Sequence, residues 1–139
     1  MMPDFRIAAI ACILPLMTMG AFAQDMSTAD RSFSKEQVER GEELYQQHCA
    51  SCHGLNLIAV DDEAINLVGT PFKFSFGGKT IAEKWALAYG TMPPNNPGSL
   101  EQQQYLDILT YIMASNGIPT GDEELTVDDP IDTITIEVK

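Results

Sequence analysis

Apolar side chains recur at steps of three and four residues in three stretches of the chain, which is the spacing of an amphipathic helix. The first stretch begins at Ser34, a favourable N-cap, and continues to Cys49. The second runs from 80 to about 89, and the third from 99 to about 116. Glycine follows each of the last two stretches, as is common where a helix ends. The pattern therefore predicts an all-α domain with about three main helices.

The segment between the first two predicted helices, residues 54–79, shows little hydrophobic periodicity. A structureless loop of this length is unusual inside a small domain. It becomes reasonable if the loop wraps around a bound group that supplies part of the core. We therefore expect a wrapping loop here.

The N-terminus has the pattern of a secretory leader. A positive charge at Arg6 precedes an apolar run over 7–19, and small residues at Ala21 and Ala23 form an A-x-A-like cleavage site. We expect residues 1–23 to be removed as a signal peptide. The alternative is a retained membrane anchor, but the apolar run is short and is interrupted by a proline.

Two polar segments flank the predicted domain, which covers residues 34–119. Residues 24–33 have no periodic pattern and are predicted to form a linker. Residues 120–139 form an acidic tail whose last residues alternate between apolar and polar side chains, as in a strand. The tail is either a solvated extension or a strand-like arm that packs on the domain or on a partner.

The charge balance limits the classes of partner. The 139-residue chain has 8 Lys and Arg against 20 Asp and Glu, a net charge of −12. Such a surface argues against nucleic-acid binding and against docking on anionic lipid. No stretch after the leader is long and apolar enough to span a bilayer, so we expect no stable membrane insertion after cleavage. The composition suits a carrier or subunit whose protein partner offers a basic patch.

The strongest chemical signal is the C-x-x-C-H sequence at 49–53. This sequence is typical of c-type haem attachment, in which two thiols add to the haem vinyl groups and the histidine binds the iron. Cys49 and Cys52 are therefore the predicted covalent attachment sites, and His53 is a predicted axial ligand. His48 lies on the same side as Cys49 and is expected to be a surface residue.

Two other uses of the motif agree less well with its setting. A thioredoxin-like redox motif would follow a strand, whereas a predicted helix precedes this one. A structural zinc site needs four ligands in a tetrahedral arrangement. After the leader, the Cys and His residues of the chain all fall within 48–53, and no second ligand pair lies elsewhere in the sequence.

The second axial ligand is expected from Met92, in the sequence Thr-Met-Pro-Pro. This methionine follows a predicted helix end and precedes two prolines, which stiffen the loop. Met113 lies within an apolar helix face and Met26 lies in the predicted linker, so both suit the role less well. The sequence thus predicts one covalently attached haem c with His53 and Met92 as the ligands of its iron.

From about residue 34 to 117 the chain resembles a class I c-type cytochrome. The resemblance rests on a first helix, C-x-x-C-H, a wrapping loop, a Gly-Thr-Met-Pro ligand loop and a last helix. It implies the class I cytochrome c fold, in which a glycine and an aromatic residue on the first helix cross the last helix. Gly41 and Tyr45 match those positions, and Ile108 and Tyr111 match their partners.

The wrapping loop departs from the pattern of these relatives at one point. They usually carry a proline whose carbonyl accepts a hydrogen bond from the axial histidine. This chain has Ile-Asn-Leu-Val-Gly at 65–69 instead. Another backbone carbonyl can serve, so we expect histidine ligation with altered hydrogen-bond geometry.

The stretch 91–119 is similar to the cytochrome c modules associated with quinoprotein, PQQ-dependent alcohol and sugar dehydrogenases. The resemblance implies a periplasmic carrier of single electrons, from such a dehydrogenase to a respiratory acceptor. Because both axial positions of the iron would be filled, we expect an electron carrier and not an enzyme. If Met92 stays off the iron, the alternative is a haem enzyme or a gas or redox sensor.

A small group of lysines interrupts the acidic sequence before the ligand loop: Lys73, Lys79 and Lys84. These lysines either surround the haem edge and orient a redox partner, or they only keep the surface hydrated. The sequence does not distinguish between these two interpretations.

Overall fold

The computed structural model describes residues 26–139, which form five helices and two short strands. The longer helices are α1 (Lys35–His48), α4 (Ile81–Thr91) and α5 (Gln102–Ser115), and the shorter ones are α2 (Ala50–His53) and α3 (Gly69–Phe76). The strands are β1 (Met26–Ser27) and β2 (Ile134–Thr135). The prediction of a mainly helical domain is therefore confirmed. The predicted leader, residues 1–23, lies outside the described residues.

Helices α1 and α5 form the centre of the fold, where they cross in close contact. Gly41 lies against the backbone of Asp107, and a Cβ atom at this position would collide with the Asp107 carbonyl oxygen. One turn further along α1, the ring of Tyr45 packs on Tyr111 with ring centroids 5.2 Å apart. The absence of a side chain at Gly41 thus allows the two helix backbones to approach each other.

The segment 54–79, predicted to be an irregular wrapping loop, contains the helix α3. Its buried residues Phe72 and Phe76 are one helical turn apart, and their rings stack with centroids 4.5 Å apart. The helix begins at Gly69 after Val68, whose side chain makes no capping hydrogen bond. Helix α3 has only about two turns, no side-chain cap and one aromatic pair. Its hydrophobic periodicity is therefore too weak to predict a helix from the sequence.

The segments before α1 and after α5 pair with each other and close over the core. Strands β1 and β2 are parallel, with Met26 opposite Ile134. The Thr28 amide extends this pairing by donating to the Thr135 carbonyl at 2.9 Å. Ile134 and Ile136 are buried, as the alternating pattern of the tail suggested. Residues 26–33, predicted to be a linker, are therefore a packed part of the domain, and the acidic tail is not a solvated extension.

A buried polar network attaches the start of the tail to the α1–α5 pair. The Gln37 side-chain amide donates to the Asp107 carboxylate at 2.8 Å and to the Leu125 carbonyl at 2.7 Å. The Leu125 amide donates back to the Gln37 side-chain oxygen at 2.9 Å. Because each of these buried groups has a partner, the network fixes the register of the tail at little cost in desolvation.

None of the helices formed by residues 26–139 combines the length and the apolar composition needed to cross a bilayer.

Candidate haem site

A cavity of about 800 Å³ opens between the end of α1, the wrapping loop, α4 and α5. This volume lies in the range of sites that hold a small molecule or a cofactor. The four side chains predicted from sequence to bind haem all line the cavity: Cys49, Cys52, His53 and Met92. Its walls include apolar residues of several elements, among them Leu67, Phe76 and Ile112. The structure therefore brings the predicted residues to one apolar cavity.

The two cysteines and the histidine reach this cavity because the chain turns sharply after α1. Cys49 ends α1, with its amide donating to the Tyr45 carbonyl at 2.9 Å. The short helix α2 follows, and the His53 amide donates to the Cys49 carbonyl at 3.0 Å. Gly54 then ends α2 with a φ of 75°, a conformation that favours glycine. One helical turn thus presents both thiols and the imidazole to the cavity.

The orientation of the His53 ring is set by a backbone carbonyl of the wrapping loop. Its Nδ1 atom lies 2.9 Å from the Ile65 carbonyl oxygen. This contact is a hydrogen bond when Nδ1 carries the proton, and Nε2 then keeps a free lone pair with which to bind a metal. The wrapping loop therefore supplies a backbone carbonyl for this contact without a proline, as expected from the sequence.

The Cys49 thiol is in an environment unlike that of a redox dithiol. Its burial, together with the neighbouring Cys52, raises the pKa of the Cys49 thiol to about 11. A thioredoxin-like cysteine needs a lowered pKa, so that a reactive thiolate forms near neutral pH. Nor does any group of three or more Cys, His, Asp or Glu side chains within 26–139 have the arrangement of a metal site. The thioredoxin-like and zinc alternatives thus gain no support.

Met92 reaches the cavity from the C-terminal end of α4, well after the C-x-x-C-H sequence in the chain. It caps the C-terminus of α4, and its amide donates to the Ala88 carbonyl at 2.8 Å. Its own carbonyl accepts a hydrogen bond from the Tyr105 hydroxyl at 2.6 Å. Met113, by contrast, is buried in the core on α5 and does not line the cavity. Met92 is thus the methionine of the described segment that a group in this cavity would meet.

Comparison with known protein families agrees with this geometry. Residues 36–112, more than half of the chain, match the model of a family described as cytochrome c oxidase, cbb3-type, subunit III. The chain belongs to this cytochrome c family. No curated protein matched the chain. The family implies a covalently bound haem c and a role in electron transfer, as the sequence predicted.

The donor set of the cavity fits such a haem in this cytochrome. Two thiols can hold it covalently, an imidazole with a fixed Nδ1 can bind the iron, and a thioether lines the same space. The apolar walls suit a porphyrin. These observations support the predicted roles of Cys49, Cys52, His53 and Met92.

Further contacts hold the walls of the cavity in place. The Tyr45 hydroxyl donates to the Gly54 carbonyl at 2.7 Å, just after α2. The Asn116 side-chain amide donates to the Leu67 carbonyl at 2.8 Å, and its oxygen accepts from the Gly69 amide at 3.1 Å. Asn116 thus fastens the wrapping loop to the end of α5. Its sequence position showed only a helix end, because a contact this distant leaves no local signal.

The charges around the cavity mouth do not match one of the two interpretations of the lysines, that Lys73, Lys79 and Lys84 all surround the haem edge. Lys84 lines the cavity, whereas Lys73 and Lys79 do not. The Lys79 amine instead lies 3.9 Å from the Glu83 carboxylate. Asp61 and Glu63 also line the cavity, and His48 is an exposed residue at its edge, as expected. The mouth therefore carries both signs of charge, and only one of the three lysines is close to it.

Proposed function

We propose that this cytochrome is a periplasmic mono-haem electron carrier in which Cys49 and Cys52 hold the haem, and His53 and Met92 bind its iron. The observation that supports this assignment is that all four side chains line one apolar cavity of about 800 Å³. In the attachment, each thiol sulfur bonds to one carbon of a vinyl group, and the thiol hydrogen moves to the other carbon. No oxidant is consumed. Bound in this way, the haem supplies a one-electron redox centre.

The same ligand set argues for a carrier rather than an enzyme. If His53 and Met92 both hold the iron, no coordination position would stay open for oxygen, peroxide or a substrate. The protein then contributes only attachment, orientation and a low-dielectric setting. If Met92 does not bind the iron, an open position supports the alternative of a haem enzyme or a gas or redox sensor.

The proposed partners rest on two resemblances. The ligand loop and last helix are similar to cytochrome c modules of PQQ-dependent dehydrogenases, which supports a quinoprotein alcohol or sugar dehydrogenase as the electron donor. The matched family is described by a subunit of a cytochrome c oxidase, which supports a respiratory acceptor. The leader pattern at 1–23 supports export to the periplasm.

Transfer from a purified quinoprotein dehydrogenase to the oxidised holoprotein tests this function. We expect an alcohol or sugar dehydrogenase, supplied with its substrate, to reduce the haem in stopped-flow absorbance within a catalytic turnover. The reduced protein should then be reoxidised by membranes that contain a terminal oxidase. Reduction by neither type of dehydrogenase would contradict the proposed donor. A holoprotein that turned over peroxide or bound oxygen directly would favour the enzyme or sensor.

A further inference from the structure

The wrapping loop exposes more apolar surface than the haem can explain. We call residues 54–60 the apolar loop. Leu55 and Val60 are each 72% exposed, and Ile58 is 47% exposed. None of these three side chains lines the cavity, so a bound haem would leave them in water. Concentrated exposed apolar surface of this kind is typical of an interaction site.

The apolar loop is held in one conformation beside a predicted haem attachment site. The Val60 amide donates to the Cys52 carbonyl at 2.9 Å, and the Asp61 amide approaches the same oxygen at 3.3 Å. Leu57, inside the loop, is buried and accepts a hydrogen bond from the Leu67 amide at 2.8 Å. The exposed side chains are therefore presented by a fixed backbone, which lowers the entropic cost of binding a partner.

Negative charge follows the apolar loop directly. Asp61, Asp62 and Glu63, which we call the acidic run, are exposed. Among the salt bridges of residues 26–139, none involves the acidic run. Asp61 and Glu63 also line the cavity, so the acidic run lies between the apolar loop and the cavity mouth. Unpaired carboxylates at the edge of an apolar surface complement basic side chains on a partner.

We infer that the apolar loop and the acidic run form the docking surface for a redox protein with an apolar face bordered by lysine or arginine. Contact here would place the partner next to Cys52, one of the two residues whose thiols would hold the haem. A net charge of −12 disfavours a second copy of the chain and an anionic lipid surface as the occupant. This inference rests on the proposed function, since it assumes that the haem exchanges electrons with another protein.

Voltammetry of the holoprotein at coated gold electrodes tests the docking surface without an identified partner. A mixed monolayer of methyl and ammonium end groups imitates the inferred partner face, and a mixed hydroxyl and ammonium monolayer lacks its apolar part. We expect faster electron transfer on the methyl surface. Replacing both Leu55 and Val60 with serine should slow it by about tenfold, which corresponds to about 1.4 kcal/mol of contact energy. Phe74→Ser, at a residue that is 84% exposed on α3, is the matched control and should leave the rate unchanged.

The acidic run has its own test on the same electrode. Changing Asp61 and Asp62 to Asn and Glu63 to Gln should slow transfer at low ionic strength and flatten its salt dependence. Changing Lys73 and Lys79, neither of which lines the cavity, to Gln should leave that dependence parallel to the wild type. If the lysine variant flattened the salt dependence and the variant of the acidic run did not, the result would overturn the inference in favour of the lysines.

Other outcomes separate this inference from the proposed function. Equal electron-transfer rates for the wild type and for the variant in which serine replaces both Leu55 and Val60, with identical visible spectra, would contradict the docking surface. The proposed function would not be affected. If the wild type formed a dimer in sedimentation and the variant did not, the occupant of this surface would be a second copy of the chain and not a redox protein. If the wild type co-sedimented with phosphatidylcholine vesicles, the occupant would be a membrane. Absence of a reversible haem wave on every surface would overturn the proposed function, and this inference with it.

Discussion

The Tyr105 hydroxyl donates a hydrogen bond to the Met92 carbonyl oxygen across a distance of 2.6 Å. Tyr105 is 3% exposed on α5, and its ring meets Tyr89 of α4 edge-on with centroids 5.4 Å apart. Tyr89 in turn stacks on Trp85, whose indole N–H donates to the Gln102 carbonyl at 3.0 Å. The loop that carries the proposed methionine ligand is thereby fixed to the helix that crosses α1.

We predict that Tyr105→Phe weakens the bond between Met92 and the iron while the fold stays intact. The ring packing is kept, but the carbonyl loses its donor, and one such hydrogen bond contributes about 1 kcal/mol. Imidazole should therefore displace the methionine at a concentration lower by several-fold, measured by titration of the oxidised holoprotein in visible absorbance. Tyr111→Phe, at a ring that packs on Tyr45, is the control and should titrate like the wild type. An unchanged titration for Tyr105→Phe would mean that the hydroxyl does not position the ligand loop.

The helix crossing gives a second prediction, on stability. Gly41→Ala places a methyl group where the Asp107 carbonyl lies, so the helices must separate. We expect a loss of about 1–3 kcal/mol in the free energy of unfolding, as is typical of overpacking. Gly90→Ala in α4 is the control, because a Cβ there meets no atom within 4 Å. It should stabilise the holoprotein by up to about 1 kcal/mol through helix propensity. Denaturant unfolding of the holoproteins measures both values, and equal stabilities of the two variants would contradict the crossing geometry.

A third prediction concerns the dependence of the fold on its cofactor. The walls of the cavity, among them Leu67, Phe76 and Ile112, lose packing partners when no haem is present. The variant with both Cys49 and Cys52 changed to alanine, prepared without haem, should therefore be largely unfolded. Circular dichroism on heating should show no cooperative transition for it and a clear one for the wild-type holoprotein. A native-like cooperative melt of the haem-free variant would show that the polypeptide core is sufficient.

The sequence predicted those parts of the molecule that depend on local patterns. The N-cap of α1 at Ser34 is present in the structure, and α4 begins where the pattern predicted, directly after Thr80. The C-x-x-C-H sequence and Met92 pointed to the residues that the structure gathers around one cavity.

The features that were missed depend on contacts between distant residues. In the sequence Gln37 is one polar residue of the first predicted helix, yet its side chain binds Asp107 and Leu125 across 70 and 88 positions. Periodicity and spacing describe single elements, whereas these contacts arise only once α1, α5 and the tail have packed together.

The central claim is that His53 and Met92 bind the two sides of the haem iron, and near-infrared absorbance of the oxidised holoprotein tests it most directly. Methionine ligation gives a weak sulfur-to-iron charge-transfer band. We predict that the wild type shows this band and that Met113→Leu, which changes a buried methionine away from the cavity, keeps it. Met92→Ala should retain the covalent haem but lose the band, with a lower reduction potential and an iron open to added ligands. A wild type without the band, or a Met92→Ala variant that retains it, would contradict the assignment.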